Sequence, residues 1–340
     1  MIKVFIIDDS MLIRNIVHKI LKNNKKMQII GEASNPIDAM HLFKETGLPD
    51  VFILDIEMPK MNGITFLKKL EKERPVPTII FSSIVNEGSS ELMEAFHHGA
   101  CDVILKPLKL NDSLSSDFVL DFVSKVKAAA HSKYIPSFDI TSKEYNIHSI
   151  SSSKVIVIGA STGGVQTIET IVKNLHPLHP PILITQHMPV GFTNSFANRL
   201  NNSCKNSVIK EADDGDVLET GTIFIAPGNM HLEVVKNKEN KYECVLKNYP
   251  KVSNHKPSVD VLFKSVSKVI GSNVVAFLLT GMGRDGAQGL NLIKEAGGTT
   301  YGQDEKSSVV YGMPKVAFDY GYVQKQVNIS DVVSLINEME

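Results

Sequence analysis

The chain has 340 residues, 43% of them hydrophobic and 21% charged, with a formal net charge of −1. That length predicts two domains, each large enough to bury its own core, and no apolar run approaches the roughly 18 residues that a membrane-spanning helix needs. Near-neutral charge and scarce arginine (Arg14, Arg74, Arg199, Arg284) give little basis for a phosphate-reading surface, so no nucleic acid partner is expected.

The N-terminus, Met1–Asp9, breaks its apolar run with two carboxylates and offers no small-residue cleavage site, which predicts a strand and a cytoplasmic location. From there to about residue 130, short apolar runs alternate with helical patterns. Strands are expected at Val4–Ile7, Gln28–Ala33, Val51–Leu54, Thr78–Phe81 and Val103–Leu105, giving a five-stranded parallel sheet with helices on both faces. Asp8 and Asp9 end the first strand, Asp55 the third, Ser82 the fourth and Lys106 the fifth. In such a sheet, ligands bind at the carboxyl ends of the strands. Three carboxylates converging there repel one another unless a hard cation such as Mg²⁺ offsets them, and a nearby lysine supplies a second positive charge. Singly, each residue has a bland reading as a turn or cap residue; all five on successive strand ends do not.

A helix over Asn111–Ala130, capped by Asn111 or Asp112, closes this region. His131–Ser153 is rich in Ser and Lys, contains Pro136 and shows no period, so it reads as a linker. The expected division is a first domain over 1–125, a linker over 126–152 and a second domain over 153–340.

The second domain opens on Val155–Gly159, an apolar strand that passes through Ala160-Ser161-Thr162-Gly163-Gly164 into a helix beginning near Val165. Pro181–His187 is a second buried strand, followed by a helix over about Phe192–Leu200. Thr222–Ala226, His231–Lys236 and Tyr242–Leu246 read as antiparallel strands, with Pro227-Gly228-Asn229 as a turn. Ser258 is expected to cap a helix over Val259–Val269, and Val274–Thr280 is a third deeply buried strand before the loop Gly281–Ala287. The predicted architecture is a doubly wound, mostly parallel α/β domain with an antiparallel hairpin.

Three strand ends thus present Ser161, His187 and Asp285, the residue types that nucleophilic acyl transfer requires. A serine hydroxyl is a weak nucleophile until a base takes its proton, and the base works best when a carboxylate fixes its tautomer. Gly159–Gly163 fits the G-x-S-x-G pattern, but in α/β-hydrolases the acid precedes the histidine in the chain, and here it follows. A glycine-rich turn could instead cradle a dinucleotide, which asks for an acidic residue at the end of the second strand; Gln186-His187 stand there. A catalytically silent binding module and a nucleotide-binding regulator remain as alternative outputs. Cys101, Cys204 and Cys244 lack metal-ligand spacing and are expected as buried thiols. His97, His98, His176 and His179 are expected to be solvated, and His255 to lie beside the crevice with no assigned role.

Residues 1–125, and in particular Asp55-Ile56-Glu57-Met58-Pro59-Lys60-Met61-Asn62-Gly63, resemble a flavodoxin-like response-regulator receiver. The resemblance implies that Asp55 is the phosphoacceptor, that Asp8 and Asp9 with Asp55 hold Mg²⁺, and that Ser82 and Lys106 respond to the phosphoryl group. Val103 departs from that pattern, standing where receivers often carry an aromatic switch residue. The whole chain resembles the CheB family of chemotaxis protein-glutamate methylesterases through Gly159–Gly164, Gln186–Pro189, Pro257–Asp260, and Thr280–Gly283 followed by Asp285-Gly286. By that resemblance Ser161 is the nucleophile, His187 the base and Asp285 its orienting carboxylate. The N–H of Met282 is then an oxyanion donor, and Thr162 helps to position the imidazole. No cofactor is expected in the second domain. The implied activity is demethylation of glutamate methyl esters, and deamidation of glutamines, on chemoreceptors. A chemotaxis histidine kinase is the implied phosphoryl donor, and phosphorylation is implied to relieve inhibition of the second domain by the first.

Overall fold

Alternating apolar and polar runs in the first part of the chain become alternating strands and helices. The structure, a computed structural model, describes residues 1–22, 24–83, 90–107, 115–133 and 153–339. It divides into two compact units, Met1–Tyr134 and Ile135–Glu340.

In the first unit, β1 (Ile2–Ile7), β2 (Met27–Ala33), β3 (Val51–Leu54), β4 (Thr78–Ser82) and β5 (Ala100–Leu105) form a parallel sheet in the order β2-β1-β3-β4-β5. The helices are α1 (Met11–Leu21), α2 (Pro36–Thr46), α3 (Gly63–Glu73), α4 (Ser90–His97) and α5 (Ser116–Ala130). Because side chains alternate across a strand, an unbroken apolar run buries both faces of the sheet. Val4, Ile6, Val51, Ile53, Ile79 and Phe81 share a cluster with Ile16, Val17, Phe122 and Val126. Residues of the opposite parity meet aromatic partners: Phe5 and Phe43 lie 4.9 Å apart between centroids, and Phe52 and Phe66 lie 5.6 Å apart.

Helix α5 begins later than expected, with Ser115 at its N-cap accepting from Phe118 N–H. The expected caps Asn111 and Asp112, and the linker segment 134–152, lie outside the described residues. Val126 and Ala129 are core residues of α5, so 126–130 belong to that helix and not to a linker.

The second unit contains β6 (Val155–Ala160), α6 (Gly164–Lys173), β7 (Ile182–Gln186), α7 (Phe192–Ser203), β8 (Val208–Glu211), β9 (Thr222–Ile225), β10 (His231–Lys236) and β11 (Tyr242–Lys247). There follow α8 (Val259–Val269), β12 (Val274–Leu278), α9 (Ala287–Glu295), β13 (Thr299–Gln303), α10 (Met313–Asp319), β14 (Lys325–Val327) and α11 (Ile329–Asn337). Seven strands make one parallel sheet in the order β14-β13-β12-β6-β7-β9-β8, and β10 and β11 form a separate antiparallel hairpin. One expectation is corrected here. Thr222–Ile225 does not pair with the hairpin; it lies parallel between β7 and β8, because its Ile223 and Ile225 are buried and continue the central sheet.

The strand order reverses at β6: the chain winds outward through β7 to β9, then returns to build β12 to β14 on the other side. The crevice of such a sheet opens at that reversal, at the carboxyl ends of β6 and its two neighbours. Those neighbours are β7 and β12. All three cysteines are buried. His179 is not solvated as expected: its ring is buried between the Pro180 carbonyl at 2.7 Å and Ser207 Oγ at 2.8 Å, and burial lowers its pKa. Among the described residues, no helix is long and apolar enough to cross a membrane.

Candidate active site and acidic pocket

Ser161 follows β6, His187 follows β7 and Asp285 stands in the loop after β12, so the reversal of strand order brings all three to one crevice. They are 7%, 9% and 1% exposed, respectively.

Ser161 sits in a tight turn in which Gly164 N–H donates to the Ser161 carbonyl at 2.7 Å. Gly163 takes φ +77°, a region costly for residues with a Cβ. A Cβ on Gly164 would lie 2.1 Å from Gln186 Oε1. The reason is functional in shape: Gln186 Nε2 donates to the Ser161 carbonyl at 2.9 Å and to the His187 carbonyl at 3.2 Å, tying the two chain segments together. Ser161 N–H donates to the Thr280 carbonyl at 2.9 Å, which ties the same turn to β12. Sequence reasoning missed Gln186 as a clamp, although its place immediately before His187 on a buried strand end was the available signal.

His187 Nε2 lies 2.8 Å from Asp285 Oδ2. An ionised carboxylate only accepts, so Nε2 carries the proton and the neutral ring leaves Nδ1 as the bare nitrogen. Nδ1 is buried and without a hydrogen-bond partner. The ring of His255 lies flat on that of His187, with centroids 3.7 Å apart and planes at 9°.

Asp285 is fixed from a second direction. Ser258 occupies the N-cap position of α8, as expected, but its hydroxyl does not cap the helix; it donates to Asp285 Oδ1 at 2.7 Å. The cap is Asp285 itself, which accepts from Val259 N–H at 2.7 Å and Asp260 N–H at 3.1 Å. Burial alone would raise the Asp285 pKa, but His187, Ser258 and the Val259 N–H together hold it down to about 2. Behind Ser258, its backbone N–H donates to Nδ1 of the buried His231 at 3.3 Å. Asp260 is pushed the other way, up to about 6, by burial and by the charge of Asp285.

Gly281 packs on the nucleophile turn so closely that a Cβ there would lie 2.7 Å from Ser161 Cβ and 2.5 Å from Met313 Sδ. Met313 N–H donates to the Gly281 carbonyl at 2.7 Å, and Gly281 N–H to the Val310 carbonyl at 3.0 Å, so the segment 310–313 pins the loop that carries Met282. Thr162 is buried, its carbonyl accepting from Thr280 Oγ1 at 3.0 Å.

In the first unit, one carboxylate oxygen from each of Asp8, Asp9 and Asp55 lies within 4.8 Å of the others. Asp8 and Asp55 are buried, and Asp9 is exposed. Lys106 Nζ reaches Asp55 Oδ2 at 2.5 Å and stands 2.8 Å from Asp8 Oδ2, the second contact being out of line for a hydrogen bond. Burial pushes Asp8 up to about 6 against the pull of Lys106, and raises Asp55 in the same way. Burial alone would lower Lys106, but Asp55 and Asp8 hold it above its ordinary value. Three converging carboxylates, two of them buried and all offering oxygen alone, make a donor set that fits a hard divalent cation. Arg14 Nη1 donates to the Asp8 carbonyl at 2.7 Å and the Asp9 carbonyl at 3.3 Å, fixing the backbone that aims both. Ser82 ends β4 with its hydroxyl on the Ser83 carbonyl, and its own carbonyl accepts from Lys106 N–H at 2.7 Å. Val103 is buried in β5. A Cβ on Gly63 would lie 2.3 Å from the Asp55 carbonyl, so the loop that follows Asp55 can close only on glycine.

Residues 156–336 match the CheB methylesterase family, and residues 4–116 match the response regulator receiver domain. A protein-glutamate methylesterase/protein-glutamine glutaminase of Thiobacillus denitrificans is 44% identical over 94% of this chain and 91% of its own. The enzyme of that name from Enterobacter cloacae is 42% identical over 98% and 95%. The crystal structure of the Thermotoga maritima CheB methylesterase catalytic domain matches with a TM-score of 0.53 and 36% identity, covering 56% of this chain and all of that one. The chain belongs to the CheB methylesterase family and carries a response regulator receiver domain at its N-terminus.

Proposed function

We propose that this protein is a phosphorylation-gated protein-glutamate methylesterase and protein-glutamine glutaminase that acts on chemoreceptors in the cytoplasm. The observation that carries the reading is the buried His187 ring, whose Nε2 is occupied by Asp285 while Nδ1 is left without a hydrogen-bond partner, on a residue whose carbonyl Gln186 ties to that of Ser161.

Ser161 Oγ attacks the γ-ester carbonyl of a methylated glutamate as His187 Nδ1 takes its proton. The imidazolium is stabilised by Asp285, which stays ionised because three donors besides His187 hold its charge. Charge developing on the carbonyl oxygen falls to the Met282 N–H, where one preorganised donor is worth about 10²–10³ in rate. Thr162 steadies the imidazole. Collapse expels methanol, which takes the proton from Nδ1, and water then cleaves the acyl-serine by the reverse proton path. A glutamine side chain follows the same course with ammonia leaving.

In the first unit Asp55 accepts the phosphoryl group from a chemotaxis histidine kinase. Asp8, Asp9 and Asp55 would hold Mg²⁺, which when bound would supply charge neutralisation for the phosphoryl oxygens. Lys106 gives up its contact with Asp55 for the phosphoryl group, and Ser82 hydrogen-bonds it. Phosphorylation then shifts a two-state equilibrium toward an active second domain.

The test is methanol release from membranes carrying methylated chemoreceptors, with and without acetyl phosphate and Mg²⁺, beside the Ser161→Ala variant. Release that rises with acetyl phosphate and vanishes in the variant supports both halves. No release above the variant from folded protein removes the esterase reading and favours a binding module.

A further inference from the structure

The reaction as derived uses Ser258 and the backbone of Val259 and Asp260 to hold Asp285, but leaves the Asp260 side chain and the turn at Val252–His255 without a task. From Val252 to His255 the chain makes a two-residue reversal: Val252 N–H donates to the His255 carbonyl at 3.1 Å and His255 N–H to the Val252 carbonyl at 2.9 Å. Ser253 and Asn254, at φ +52° and +67°, supply the two left-handed residues that such a turn requires. This reversal delivers the His255 ring flat onto His187.

The turn is tied down by one carboxylate. Ser253 Oγ donates to Asp260 Oδ2 at 3.2 Å, and Asp260 Oδ1 accepts from Gly289 N–H at 2.7 Å. Asp260 therefore joins the turn, the first turn of α8 and helix α9, while its own backbone N–H serves Asp285. The His187 ring thus meets Asp285 at Nε2 and His255 across one face. One hydrogen bond at Nε2 fixes a point on the imidazole but leaves its plane free to rock. Contact over a whole ring face removes that freedom.

We propose that His255 is a positioning residue for His187, a flat wall that holds the imidazole plane with Nδ1 toward the nucleophile, and that Asp260 keeps this wall in place through Ser253. The proposal rests on the role of His187 as base given above. His255 exchanges no proton in it, so an aromatic ring without nitrogens serves as well.

The test uses the full chain and a small fluorophosphonate, whose fluoride is displaced by Ser161 Oγ without any receptor. Alongside it, proton NMR follows the downfield Nε2–H resonance of His187. His255→Ala is expected to slow labelling about ten-fold, the cost of a slightly misplaced base, and to broaden the resonance by exchange with water. Methanol release should lose kcat by a similar factor with KM little changed, and His255→Phe should restore all three. Labelling at the wild-type rate in His255→Ala, or no recovery in His255→Phe, overturns the proposal. If circular dichroism finds His255→Ala unfolded, Ser253→Ala replaces it: slower labelling supports the proposal, and an unchanged rate overturns it. Wild-type protein that labels at Ser161 but releases no methanol overturns the receptor-esterase reading alone.

Discussion

Asp285 and Val259, 26 residues apart in sequence, meet at the N-terminus of α8, where the carboxylate oxygen that receives the Val259 N–H at 2.7 Å also receives His187 Nε2 at 2.8 Å. One side chain therefore caps a helix and orients a base. Asp285→Ala should do two kinds of damage. Loss of the cap and of the Ser258 partner should destabilise the second unit by about 2–4 kcal/mol, read by urea unfolding. Methanol release should fall by about 10²–10⁴. Asp285→Asn keeps an acceptor for the helix and should recover much of the stability but little of the activity.

The same carboxylate predicts an acid limit. Its folded pKa is held down to about 2, below the ordinary 3.8. The unfolded chain therefore binds a proton first, and the stability this group contributes is complete above about pH 4 and is lost as pH falls toward 2. Unfolding midpoints measured from pH 5 to 2.5 should fall more steeply for the wild type than for Asp285→Asn.

Asp8 has the opposite sign. With its folded pKa pushed up to about 6, the native state binds the extra proton, so stability falls as pH rises from about 4 to 6. Asp8→Asn should therefore raise the urea midpoint of the first unit at pH 7 and lose most of that advantage at pH 4. Added Mg²⁺ should stabilise the wild type at pH 7 and leave Asp8→Asn nearly unchanged; equal stabilisation of both would place the cation elsewhere.

Gly281→Ala tests the loop that carries Met282. The added Cβ meets Ser161 Cβ and Met313 Sδ at distances no packed carbon tolerates, so the loop must back away from the nucleophile. Fluorophosphonate labelling should slow by about 10²-fold, comparable to losing one oxyanion donor. An unchanged rate would remove Met282 from the site.

Much of the fold was legible because it rests on unbroken apolar runs. Val155–Gly159, Pro181–Gln186 and Val274–Leu279 are buried on both faces, which favours apolar residues, most of them β-branched or aliphatic, along nearly the whole of each run. Strands β8, β13 and β14 escaped because they lie toward the sheet edges, where polar residues such as those of Thr299–Gln303 are tolerated and periodicity fades. The pattern of Thr222–Ile225 predicts a strand but not its partners β7 and β8, since pairing depends on which neighbour offers a free edge and not on local pattern.

Local sequence alone marks which residues stand at strand ends, Ser161 and His187 in one unit and Asp8, Asp9, Asp55, Ser82 and Lys106 in the other, and that Asp285 lies in the loop after a buried strand. A strand's end is a local event, written in where the apolar run stops. Packing across the molecule is what makes Asp285 and not Ser258 the cap of α8, turns Nε2 and not Nδ1 of His187 to its carboxylate, sets Gln186 as a clamp on two segments and lays His255 against His187. These are choices among partners of equal chemical competence, and nothing short of the packed geometry distinguishes them.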